Sequence, residues 1–102
     1  MEEQRNIYEG KYYIIRGDMS GVFAGEIESR KGQEIILKNA RRLWYWDGAC
    51  SISELALNGT QEPGKCKFTV TVDRLELLDV IEIIECTEKA EKSIKEVSVW
   101  SY

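Results

Sequence analysis

Val22-Phe23-Ala24-Gly25-Glu26-Ile27-Glu28-Ser29, then Arg30-Lys31-Gly32, then the run that starts at Gln33 and reaches Trp46 decide the fold. The first run alternates. Phe23, Gly25 and Ile27 fall on one face of an extended strand, and Val22, Ala24 and Glu26 on the other. Gly32 supplies the positive φ that a tight hairpin needs. The run from Gln33 therefore returns as a second strand, long enough to need a bulge. Upstream, Lys11-Tyr12-Tyr13-Ile14-Ile15-Arg16 is β-branched and aromatic, and Gly17 to Gly21 reads as a turn. Three consecutive strands make an antiparallel meander.

The period then changes. Ser51 with Glu54 three residues on is a capping box, and Asn58-Gly59 is a stop signal, so one short helix follows the meander. Lys67 to Val72 alternates strictly and predicts a half-buried strand. Arg74 to Glu85 is apolar on both faces and predicts one or two more. Thr87 opens a second short helix that runs to Lys95. Val97 to Tyr102 alternates again. The expected class is α+β, mostly β: an antiparallel sheet or small, partly open barrel of five to six strands, with two short helices. Residues 1–10 read as a flexible N-terminus and 11–102 as a single domain.

Composition narrows function. The chain of 102 residues has 14 Lys+Arg against 18 Asp+Glu, a net charge of −4 that argues against binding duplex nucleic acid. It contains no histidine, which removes the commonest general base and metal ligand. Cys50, Cys66 and Cys86 are widely spaced, form no CxxC pair and read as free thiols in a reducing compartment. No metal and no cofactor is expected, and the chain reads as a non-enzyme. The opening Met1-Glu2-Glu3-Gln4-Arg5 does not read as a secretion signal, and no apolar run approaches membrane-spanning length. Asn58-Gly59-Thr60 and Arg16-Gly17-Asp18 match short extracellular motifs by chance.

One segment concentrates chemistry. Lys38 to Ala49 holds two tryptophans, a tyrosine, two adjacent arginines and a lysine. In an unbroken strand, Lys38, Arg42, Trp44 and Trp46 share one face, with Asn39, Arg41, Leu43 and Tyr45 on the other. Rings interleaved with cations suit a ligand that carries a planar base and phosphates. On this reading Trp44 or Trp46 stacks on the base, Arg41 or Arg42 grips phosphate, and Asp47 or Asn39 contacts a sugar hydroxyl. The competing reading is that the tryptophans are core and the charges solvated. Trp100 and Tyr102 either dock back on the core or pack against a second subunit. Glu26 with Glu28, and Glu82 with Glu85, read as solvated carboxylates.

The blocks Gly21–Glu26, Leu37–Trp46 with Gly48-Ala49, Ala90–Ile94 and Val97–Trp100 resemble a family of small proteins encoded by tailed phages and prophages, generally described only as domains of unknown function. The resemblance spans Tyr12 to Trp100, and its most specific part is the Arg41-Arg42-Leu43-Trp44-Tyr45-Trp46 block. Short acidic phage proteins of this kind resemble counter-defence factors. One class of these, nucleotide sponges, sequesters cyclic ADP-ribose-type or cyclic dinucleotide immune signals in pockets between subunits. The resemblance implies a homo-oligomer in the host bacterial cytoplasm that binds such a signal without cleaving it. A protein–protein inhibitor such as an anti-CRISPR, or a minor virion assembly protein, is the alternative.

Overall fold

The structure is a computed structural model that describes residues 7–101. Six antiparallel strands and two helices follow one another as β1 (Tyr13–Gly17), β2 (Val22–Lys31), β3 (Glu34–Tyr45), α1 (Ile52–Asn58), β4 (Lys67–Phe68), β5 (Val72–Leu77), β6 (Val80–Glu85) and α2 (Glu88–Glu96). The protein is α+β and mostly β, as the patterning predicts. Across the sheet the order is β4-β3-β2-β1-β6, and β5 lies beside β4 on the same outer edge of β3.

The sheet curls. β5 pairs with β3 at one side and β6 with β1 at the other, yet only Leu78 and Asp79 join them. The two sides can meet at so short a connection only if the sheet bends round on itself. Val80 N–H donating to the Gln33 carbonyl, 3.0 Å, ties the start of β6 to the tip of the β2–β3 hairpin. Asp79 braces the same end. Its carboxylate accepts from Met19 N, Ser20 N and Ser20 Oγ at 2.7–3.0 Å, and these bonds hold its pKa below the usual carboxylate value.

Curling gives two buried faces. The concave face holds Tyr13, Ile15, Phe23, Ile27, Ile35 and Leu37, all within strands and all nearly sealed from solvent. The sheet covers this face with itself. The opposite face presents Tyr12, Ile14, Ala24 and Leu43 to Leu55 of α1, Ile94 of α2 and Phe68 of β4. The double burial of β1 follows from this: Tyr13, Ile14 and Ile15, with Tyr12 just before the strand, are buried in succession.

Both helices begin at the expected caps, although the Glu54 carboxylate accepts from Cys50 N, at 2.6 Å, where a full capping box has it accept from the Ser51 amide. Ser51 Oγ accepts from Glu54 N at 3.1 Å and Thr87 Oγ1 from Ala90 N at 3.0 Å. Gly59 ends α1 at φ 75°, where a Cβ would stand 2.3 Å from Ser93 Cβ of α2. Only glycine lets the helices approach so closely.

Two strand expectations need correction. Lys67 to Val72 alternates as one strand, but β4 is two residues long and the ladder resumes only at Val72. Backbone and side-chain groups at Arg41 and Arg42 engage Thr69 and interrupt it. Val97 to Tyr102 does not form a strand within the described residues. A single parallel bridge, Phe68 to Val99, and the bond from Trp100 N–H to the Phe68 carbonyl at 2.9 Å lay this segment along β4.

Candidate functional site

β3 is not a continuous ladder, and its bulges decide which side chains meet. Ala24 pairs with Arg41 and Glu26 with Lys38, so β3 takes three steps where β2 takes two. The extra residue is accommodated at Asn39, which adopts φ 50°. Gly25 lies opposite, where a Cβ would stand 3.1 Å from Ala40 Cα and from the Lys38 carbonyl oxygen. The bulge flips parity. Ile35 and Leu37 point into the concave core before it, and Ala40 does so after it. Arg41 and Leu43 consequently point to the helix side.

A second irregularity lies between Leu43 and Tyr45 against β4. Trp44 and Tyr45 are left outside in succession, 63% and 48% exposed, and Trp46 turns back against the helix-side core. Trp44 and Trp46 therefore do not share a face, contrary to the alternation.

Arg41 is the largest correction. Placed among the phosphate-gripping residues by its neighbours in sequence, it is 4% exposed and surrounded by carbonyls. Its Nε donates to the Thr69 oxygen at 2.9 Å, its Nη1 to those of Ile94 and Val97 at 3.0 and 2.9 Å, and its Nη2 to that of Phe68 at 3.1 Å. The guanidinium also stands 5.5 Å from the Phe68 ring centroid. Burial lowers its pKa, but a guanidinium remains protonated in a protein. With four of its five N–H groups committed to the backbone, Arg41 has no fork to offer a ligand.

The remaining predicted residues are scattered. Lys38 and Asn39 stand exposed at the bulge, where Asn39 Nδ2 donates to Glu26 Oε2 at 3.1 Å. Arg42 lies 4.4 Å from the Phe23 ring centroid and donates to the Ser20 carbonyl at 2.7 Å. Asp47 Oδ1 accepts from Gly48 N at 2.7 Å and lines an open cleft of about 420 Å³ with Cys50, Glu54 and Glu62. That cleft is acidic and repels phosphate. No group of histidine, cysteine or carboxylate side chains suited to a metal occurs among the described residues. Tyr102, read as an interface residue, lies outside them.

What the fold does bring together is a set that alternation along one strand could not reveal. Tyr45 pairs across strands with Lys67. The Lys67 ammonium stands 5.9 Å from the Tyr45 ring centroid and 5.6 Å from that of Trp100. It has no carboxylate partner among the described residues, whereas Lys11, Lys65 and Lys95 each have one. Trp100 is 45% exposed, and Val99 just before it and Val70, two residues after Phe68, are exposed as well. Rings and an unneutralised cation thus occur together at the outer edge of β3, assembled from β3, β4 and the segment after α2.

A curled antiparallel sheet backed by two short helices, with an exposed ring-and-ammonium patch on its β4 edge, defines the class of the protein. Residues 10–94 match the model of a family described as Domain of unknown function (DUF6948), and the chain belongs to that family. No curated protein and no solved structure matches it. No helix of the described residues is long and apolar enough to cross a membrane.

Proposed function

We propose that this chain is a non-enzymatic binding protein whose working surface is the patch formed by Tyr45, Lys67 and Trp100, with Trp44 beside it. The ligand is a nucleotide-derived anion of the cyclic ADP-ribose or cyclic dinucleotide kind, sequestered in the cytoplasm of a phage-infected bacterium to blunt an immune signal. The observation that supports this reading is the Lys67 ammonium, flanked by two exposed rings and with no carboxylate partner among the described residues. A base stacks on an aromatic face with about 1–3 kcal/mol per ring, and a neighbouring ammonium attracts the phosphate.

The patch is open on one side. A second copy of the chain that covers it would supply the enclosure that small-ligand sites need, which is the form the homo-oligomer takes in this proposal. Isothermal titration with cyclic ADP-ribose variants and cyclic dinucleotides tests it, run beside sedimentation of the free and titrated protein. Heat with one class, abolished by Lys67→Gln, supports the reading; no heat with any of them opposes it.

A second reading, inhibition of a host protein complex, draws on Trp44. At 63% exposure this indole touches solvent over most of its surface, as tryptophans at protein interfaces do before docking. Capture of a host protein that Trp44→Ala abolishes and Lys67→Gln leaves intact would favour it.

A further inference from the structure

We infer that Arg41 is the positioning residue that assembles the Tyr45–Lys67–Trp100 patch, by fastening to one another the two segments that carry Lys67 and Trp100. The inference rests on the proposed binding surface for its functional meaning. Its structural content stands on geometry alone.

Phe68 and Val97, buried in the helix-side core, anchor the two segments on one side, but the ladder around Lys67 and Trp100 is thin. β4 has only two residues, and its pairing with β3 is irregular between Leu43 and Tyr45. Among the described residues the segment after α2 forms no ladder; beyond the burial of Val97 it is held by the Phe68–Val99 bridge and the Trp100 amide bond to the Phe68 oxygen. Short strands and single bridges open readily in isolation. Arg41 is anchored in the middle of β3, paired with Ala24 of β2, and its guanidinium reaches both loose segments at once. Phe68 and Thr69 are the residues just after Lys67. Ile94 and Val97 are the end of α2 and its cap, three residues before Trp100.

The chemistry of this clamp is specific to arginine. Four carbonyl oxygens converge on one planar group from three nitrogens, an arrangement that a lysine ammonium cannot satisfy from a single centre. Two of the four carbonyls belong to the C-terminal end of α2, where the helix dipole is negative and favours a cation. No carboxylate is needed to neutralise the charge. Removing the guanidinium leaves the Phe68–Val99 bridge and the Trp100–Phe68 bond as the direct links between the segments, so the separation between Lys67 and Trp100 is set far less firmly.

The test reads the indole directly. Incorporation of 5-fluorotryptophan gives three fluorine resonances, assigned by Trp→Phe variants at 44, 46 and 100. In Arg41→Lys the Trp100 resonance moves to the position of a solvent-exposed mobile indole, and the Trp46 resonance, held by the core, stays within its linewidth. A Trp100 resonance unmoved in folded Arg41→Lys overturns the proposal. If that variant does not fold, amide hydrogen exchange of the unaltered protein decides. The Trp100 and Thr69 amides, one on each clamped segment, show matching protection and open together. Protection at Thr69 with free exchange at Trp100 overturns it. In folded Arg41→Lys, affinity for cyclic ADP-ribose falls at least tenfold. Should the unaltered protein bind no nucleotide, the fluorine and exchange arms still judge the clamp, so the two proposals fail separately.

Discussion

The Arg41 guanidinium holds Phe68 in two ways, donating to its carbonyl oxygen at 3.1 Å and standing 5.5 Å from the centroid of its ring. Arg41→Met removes both and strands the carbonyls of Thr69 and Val97, while those of Phe68 and Ile94 keep the Trp100 and Val97 amides. Each buried polar group left without a partner costs about 1–3 kcal/mol, and the two stranded here regain water in part when the tail loosens. The expected loss is on the order of 3 kcal/mol or more, read as a lower urea midpoint. A variant as stable as the parent would mean that the clamp carries no net stability.

The bulge at Asn39 makes a backbone prediction. At φ 50° a residue other than glycine is in the left-handed region, which asparagine tolerates and a β-branched residue does not. Asn39→Val should cost about 1–2 kcal/mol, and Asn39→Gly should change stability by well under that, since relief of φ offsets the exposed bond to Glu26. Equal losses in both variants would show that the side-chain bond, and not the dihedral, matters here.

These two positions also mark the limit of what local sequence pattern reveals. The β2–β3 hairpin and both helix starts were legible because their signals are local: alternation, Gly32, and the Ser51 and Thr87 caps. The break between β4 and β5 was not, because Lys67 to Val72 alternates without fault and the interruption comes from Arg41 and Arg42, far off in the chain. The enrichment of rings and cations between Lys38 and Asp47 was visible, but their facing was not. An extra residue at Asn39 and another irregularity before Tyr45 reverse parity twice, which puts Arg41 inside and separates Trp44 from Trp46. Lys67 carried no signal of its own, because its meaning comes only from the rings that the fold places around it.

Asp79 gives the acid limb of stability. Bonds from Ser20 and Met19 depress its folded pKa, so the group contributes stability above the unfolded value, about 3.9, and loses it as pH falls through the lower folded value. Asp79→Asn should therefore be less stable than the parent at pH 7, and the gap should narrow progressively below about pH 4. Parallel stability curves down to pH 2 would contradict this.

The thiols should separate by burial. Cys50 is exposed, and its bonding to Glu54 raises its pKa. Cys86 is partly buried, and desolvation, with Glu91 adding to it, pushes its pKa up to about 12. A disulfide reagent at pH 8 should modify Cys50 first and leave Cys86 unreacted until the protein is unfolded. Because the folded pKa of Cys86 is raised, its contribution is intact below the unfolded thiol value and is lost as pH rises toward 12, so alkali should expose it. Rapid labelling of Cys86 in folded protein at pH 8 would refute its burial.

Calorimetric titration of the parent and of Lys67→Gln with cyclic ADP-ribose variants and cyclic dinucleotides decides whether the Lys67 patch holds a nucleotide. The parent should give saturable heat with one ligand class, and an affinity at least tenfold weaker once the ammonium is gone. Binding that Lys67→Gln and Trp100→Ala leave untouched, or no heat at all from the parent at tens of micromolar protein, would contradict it.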